Sequence, residues 1–158
     1  MRVLGADIAT RSGFAVIEDG KLIYRETYSL REEASHRMRF KDFRSKVLRL
    51  LREYKPDAVS FETTYVGVNP KGTAYLNMLR GIFIECSSHR MQLISDTVSK
   101  IRKETMGAGK KYTKLDVMEH VIRKYGIALD KADKKSEDIA DAILLAEWGY
   151  NSLTDTVK

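Results

Sequence analysis

The stretch 136–150 constrains this chain more than any other. On a helical wheel, Ile139, Ala142, Ile143, Ala146 and Tyr150 share one face, and Leu144, Leu145 and Trp148 cover much of the rest. A helix that is apolar nearly all round is a buried helix, so other layers must enclose it. Yet Asp138 and Asp141, three residues apart, project from one side of it in line with Leu145 and Trp148. Carboxylates buried without a partner are strongly unfavourable. The rest of the chain must supply both the enclosing layers and a positive charge.

The layers are readable. Residues 3–8 form a short apolar run, and 14–17 a second, closed by Asp19-Gly20, a strong hairpin turn. Residues 21–30 carry Ile23, Tyr24, Thr27 and Tyr28 and read as the partner strand. Phe40, Phe43, Val47, Leu48, Leu50 and Leu51 recur at helical spacing within 34–54, and Pro56 ends that helix. Residues 57–62 read as a strand, and 63–72 as a loop with Gly67, Asn69, Pro70 and Gly72. A helix over 73–89 follows, with Leu76, Leu79, Ile82, Phe83 and Cys86 as its stripe, then a short strand at 92–95. The stripe serves either the core or a dimer interface. Asp96 or Thr97 can cap a helix to about Thr105. Residues 106–112 hold Gly107 and Gly109 and form a loop. Thr113-Lys114-Leu115-Asp116 has a capping-box pattern, opening a helix to Tyr125-Gly126. A polar connection spans 127–135, and 151–158 is expected to be a loose tail. This order predicts an α/β fold: one mixed five-stranded sheet with helices on both faces, forming a single domain over 1–150.

Composition narrows the class. The 158 residues suit one domain, and 43% hydrophobic with 32% charged residues is a globular mixture. Lys and Arg number 28 against 22 Asp and Glu, a net charge of +6 that favours a polyanionic partner. Cys86 is the one cysteine, so neither an intramolecular disulfide nor cysteine-ligated zinc is expected, which fits a reducing compartment. No apolar run is long enough to span a membrane, and Asp7 comes too early for a secretory signal. The expectation is a cytoplasmic chain, in the host cell's cytoplasm if it is viral, with no membrane partner and no small-molecule cofactor.

Two further acids stand out. Asp7 lies near the end of the first apolar run, and Glu62 ends the run Ala58-Val59-Ser60-Phe61. If both strands are central and parallel, both acids lie at carboxyl ends, the edge where open α/β sheets bind ligands. Singly, each acid could merely end a strand or oppose a helix dipole. Together, Asp7, Glu62, Asp138 and Asp141 call for a cation. Mg²⁺ prefers oxygen ligands and commonly takes one or two carboxylates, so four could hold two ions roughly 4 Å apart.

Basic residues gather nearby in sequence. Lys100, Arg102, Lys103, Lys110, Lys111 and Lys114, against Glu104, give 100–114 a surplus of five positive charges. Such a cluster binds phosphates with strongly salt-dependent affinity, and Gly107 and Gly109 let backbone N–H groups come close to one. Lys114 opens the stripe of Val117, Met118, Val121 and Tyr125. Either it snorkels past the helix end, or it aims its ammonium at a phosphate or at the acids. Residues 31–55 carry an equal surplus, read chiefly as a solvated helix face bearing Arg37, Lys41, Arg44 and Arg52. His36, His89 and His120 follow no metal-ligand spacing, and Cys86 reads as buried and inert.

Taken in order, these motifs resemble the RuvC family of Holliday-junction resolvases, which have a ribonuclease H-like fold. The resemblance spans Leu4 to about Ala146: Gly5-Ala6-Asp7, Phe61-Glu62-Thr63-Thr64-Tyr65, Asn69, Arg80-Gly81, Gly107-Ala108-Gly109 with Lys114, and Asp138-Ile139-Ala140-Asp141-Ala142. There are departures. Ala9-Thr10 replaces Pro-Gly, Val68 stands where a basic residue is common, and one extra residue precedes Lys114. With the short chain, these point toward the divergent phage and viral branch. The resemblance implies a homodimeric, metal-dependent endonuclease that nicks four-way junctions symmetrically, with three-way junctions and replication forks as further substrates. It implies that Asp7, Glu62, Asp138 and Asp141 hold two Mg²⁺, with Mn²⁺ as substitute, and that Lys114 acts at the scissile phosphate. Tyr65 would stack on an unpaired base. Asn69, Arg102, Lys103, Lys110 and Lys111 would contact DNA. The competing reading is a non-catalytic branched-DNA-binding module on the same fold.

Overall fold

The computed structural model describes residues 1–63 and 69–155. Three strands come first: β1 (Arg2–Asp7), β2 (Arg11–Glu18) and β3 (Lys21–Ser29). Asp19 and Gly20 turn β2 into β3 with φ of 47° and 79°, the pair of positive values a tight type I′ hairpin needs. Then follow α1 (His36–Tyr54), β4 (Ala58–Glu62), α2 (Pro70–Cys86), β5 (Gln92–Asp96), α3 (Val98–Met106), α4 (Lys114–Tyr125) and α5 (Lys134–Thr154). The sheet order is β3-β2-β1-β4-β5. β1 runs antiparallel to β2 and parallel to β4, and β4 runs parallel to β5. The expected mixed sheet of five strands is therefore the one observed.

Strand alternation divides the core. Leu4, Ala6, Phe14, Val16, Val59 and Phe61 face α1 and α2, meeting Phe43, Val47, Leu50, Leu79 and Phe83. The opposite face carries Ala15 and Ile17 and packs on Ile101 of α3, on Val117, Met118 and Val121 of α4, and on α5. Leu79 and Phe83 are thus core, Leu76 and Ile82 are partly buried against it, and Met78 and Ile84 are exposed.

α5 lies unusually close to the sheet. A Cβ on Gly5 would fall 2.3 Å from the carbonyl oxygen of Ala142, and one on Gly13 would fall 2.0 Å from that of Asp138. No side chain fits at either position, so strand and helix backbones meet directly. The Ser60 hydroxyl adds a 2.6 Å hydrogen bond to the Leu145 carbonyl, and Gly149 rests on Ser60. The helix that the sequence marks as buried all round is the one held against β1, β2 and β4.

Some boundaries differ from expectation. α2 begins at Pro70, not Thr73: Asn69 is its N-cap and proline takes the first turn, where its missing N–H costs nothing. α5 continues through Asn151 to Thr154, so those four residues are helix rather than loose tail, with the Ser152 and Thr154 hydroxyls bonded to the carbonyls of Trp148 and Tyr150. Cys86 is half-buried rather than buried, and burial pushes its thiol up to about 11. The capping box at Thr113 and Asp116 is present, and Gly126 ends α4 in the left-handed region. No helix among the described residues is long and apolar enough to cross a membrane.

Candidate active site

Period-two alternation decides which acids meet. Asp7 pairs with Gly13 across β1 and β2, and Gly5 pairs with Ser60 across β1 and β4. Asp7, Gly13, Ser60 and Glu62 therefore all point toward α5, where Asp138 and Asp141 lie one turn apart. Asp7, Glu62 and Asp141 line one pocket of about 40 Å³ with Val98, Ile101, Arg102, Leu144 and Leu145. Apolar walls and three acids from three elements make it a place of strong mutual repulsion.

The acids register that repulsion. Burial, reinforced by Asp141, Glu62 and Asp138, pushes the Asp7 carboxyl up to about 7, and Lys114 opposes this. Burial also raises Glu62, against the pull of Arg80, and raises Asp141, against Arg102 and Lys114. The carboxylates are hard oxygen donors, a set whose chemistry suits Mg²⁺ or Mn²⁺. They are not, however, gathered as tightly as a ligand set requires. Among the described residues no three His, Cys, Asp or Glu side chains form a metal-holding group. Two arginines help hold them apart: Arg11 Nε donates to Asp138 Oδ2, and Arg102 lies 3.6 Å from Asp141.

The expected basic residues have varied placements. Lys114 is exposed at the start of α4, pairing with Glu137 at 3.1 Å, while Asp7 and Asp141 lie within its electrostatic reach. It does not join the buried stripe, because the first helical residue can turn its long side chain outward. Arg102 Nη1 donates to the Tyr112 carbonyl at 2.9 Å, anchoring the glycine loop. Lys110 pairs with Asp116 at 2.9 Å, and Lys103 and Lys111 are exposed. With Val98, Ser99, Gly109 and Tyr112, these side chains line a second pocket of about 270 Å³ that shares Arg102 with the first. Asn69 accepts from the Gly72 N–H as a helix cap. Tyr65 lies outside the described residues. His120 is satisfied by Glu147, and His36 stacks near Phe40 and Tyr75.

Sequence reasoning passed over Arg11, and it named Arg80 only within a motif of the resemblance, with no role at the site. Arg11 follows the strand parity of Gly13, which puts it over α5. Arg80 sits inside the apolar stripe of α2, where a charge is out of place, and acts on Glu62.

A parallel strand pair with acids at its carboxyl ends, extended by an antiparallel hairpin and faced by an acid-bearing helix, is a ribonuclease H-like fold. The family described as Crossover junction endodeoxyribonuclease RuvC matches residues 3–147, and the chain belongs to that family. Crossover junction endodeoxyribonuclease RuvC of Ralstonia nicotianae is 30% identical over 92% of this chain and 81% of its own length. The Chlamydia felis protein of that name is also 30% identical, over 91% of this chain and 89% of its own. The solved Thermus thermophilus RuvC in complex with a Holliday junction substrate superposes with a TM-score of 0.81 at 18% identity, covering 99% of this chain and 98% of that one. The yeast mitochondrial Holliday junction resolvase gives a TM-score of 0.65 at 17% identity, over 99% of this chain and 84% of that one. The ribonuclease H-like sheet expected from the motifs is the fold these neighbours share.

Proposed function

We propose that this chain is a metal-dependent endonuclease that resolves branched DNA, chiefly four-way Holliday junctions, by paired symmetric nicks from a homodimer. The observation that carries the reading is the convergence of Asp7, Glu62 and Asp141 on one pocket, with Asp138 beside them. Family membership supports the same reaction class. Asp7, Glu62, Asp138 and Asp141 would hold two divalent ions, Mg²⁺ by preference and Mn²⁺ as substitute. Such ions would supply an activated water and neutralise negative charge on the oxygens of the phosphate being attacked.

The protein's own groups do the rest. The Gly5 and Gly13 contacts hold the strand acids and helix acids at a fixed separation. Lys114, itself exposed and needing only to leave the half-buried Glu137, would stabilise negative charge on the scissile phosphate. Arg102, Lys103, Lys110 and Lys111 contact the phosphate backbone, Asn69 the DNA beside it, and Tyr65 stacks on an unpaired base. A two-fold dimer would present two equal sites to the near two-fold symmetry of a junction.

The test is incubation with end-labelled four-way, three-way and linear duplexes, in Mg²⁺ and in chelator. Symmetric nicks confined to branched DNA in Mg²⁺ are expected. Asp7→Asn, Glu62→Gln or Asp141→Asn should abolish nicking and leave junction binding intact. Full cleavage by any of the three would dismantle the site as drawn, and binding without nicking in Mg²⁺ would favour a non-catalytic module.

A further inference from the structure

Arg11 opens β2 and shares the face of Gly13, two residues on. Because the backbone of Gly13 rests against the carbonyl of Asp138, the guanidinium is delivered to Asp138 by register, not by the reach of a loose surface side chain. Arg11 Nε donates to Asp138 Oδ2, with the arginine side chain one-third exposed (33%) and the aspartate 14% exposed.

The α5 acids are thereby made unequal. Asp141 faces the pocket with Asp7 and Glu62, and its arginine, Arg102, stands off at 3.6 Å while holding the Tyr112 carbonyl. Asp138 does not line that pocket and is matched directly by a guanidinium. We propose that Arg11 is a counter-charge that competes with one of the two divalent ions for Asp138. This rests on the reading of the four acids as ion ligands given above. An ion arriving at Asp138 meets a like charge already bonded to Oδ2 of that carboxylate, and is repelled by it unless the guanidinium moves away. Arg11 can yield because it is partly in water, where its own hydration replaces the broken bond. Once released it stands beside the acids as a planar fork of donors, the geometry that suits a phosphate. The chain thus has a less obstructed ion position among Asp7, Glu62 and Asp141, and a guarded one at Asp138.

The test uses the full chain stripped of metal, without DNA. Mn²⁺ is titrated in, and the free ion is counted by electron paramagnetic resonance. Arg11→Gln should tighten the weaker binding step by about twofold to fivefold, the scale of a partly exposed ion pair. Arg37→Gln, on the exposed face of α1, lowers net charge equally and should leave the isotherm unchanged. An Arg11→Gln isotherm that overlays the native one or is weaker overturns the proposal, as does an equal gain in Arg37→Gln. If Arg11→Gln does not fold, Arg11→Lys serves in its place. It keeps the charge but loses the fork, and a gain of about twofold is expected, no gain being fatal. Asp7→Asn separates the two levels. If it leaves Mn²⁺ binding intact, the acid site itself is wrong. If it removes binding while Arg11→Gln changes nothing, only the role of Arg11 falls.

Discussion

Asp7 is a carboxyl group whose ordinary preference for charge is almost cancelled. In an unfolded chain it ionises near 3.8; burial and the neighbouring acids move this to about 7 in the folded protein. Between those values the folded form binds a proton that the unfolded form does not. Stability therefore falls as pH rises from about 4 to about 7, and the deficit persists above. Three pH units correspond to a ceiling of about 4 kcal/mol, which relaxation reduces. Asp7→Asn removes the ionisation while keeping the shape. In chelator it should raise the Tm most at pH 8 and by less than half as much at pH 5, where the unfolded carboxyl is already ionised but the pH has crossed only part of the interval, as thermal melts at the two pH values would check; equal Tm of variant and native at pH 8 would mean that Asp7 is not strained. Asp7 and Glu62 were legible because each breaks an apolar run. The role of Arg11 was not, because its partner is 127 residues away and only the packing of α5 on β2 brings the two together.

The union of α4 with α5 depends on a carboxylate that the hydrophobic wheel hides. Glu147 is 2% exposed, and it receives Lys124 at 2.6 Å, His120 at 3.0 Å and the Tyr125 hydroxyl at 3.3 Å. Burial alone would raise its pKa, but the bonds from His120 and Lys124 win and hold it below the usual range. A depressed acid contributes stability above its unfolded value, and that contribution is lost as pH falls through the folded value. Glu147→Gln removes the charged acceptor of Lys124 and His120 and should cost about 1.5–3 kcal/mol at pH 7, shrinking in acid, because the Lys124 left behind is half in water. Urea unfolding at both pH values checks this, and a cost below about 1 kcal/mol would show the cluster to be ornamental. Elements were more legible than their ends. The turn at Asp19-Gly20, the capping box at Thr113 and the all-round apolar α5 could be read because each rests on neighbours in sequence. Pro70 was read as loop because proline usually breaks structure, whereas here Asn69 caps the turn that contains it. The ion pairs that fill the cluster around Glu147 join positions more than twenty apart, beyond any local pattern.

Across the whole molecule, charge is arranged in two adjoining fields: acids at the strand ends, and a basic loop around Arg102, Lys103, Lys110 and Lys111. A strand of DNA would meet both, its backbone on the second and one phosphate at the first. Neutralising one side chain that holds a phosphate should make the fall of log affinity with log salt shallower by about 0.9. Lys103→Gln and Lys111→Gln should each do so, and Lys110→Gln by less, because Asp116 already matches that ammonium. Junction binding measured from about 50 to 200 mM salt would show it, and unchanged slopes would move the DNA path elsewhere. The mixed sheet was legible from element order alone. The seam at Gly5 and Gly13 has a consequence of its own. Since main chain meets main chain there, the spacing of the acids does not depend on how neighbouring apolar side chains fill space. The interior can drift through many hydrophobic exchanges while the reactive face keeps its dimensions, yet a lone methyl at either glycine would pry that face apart.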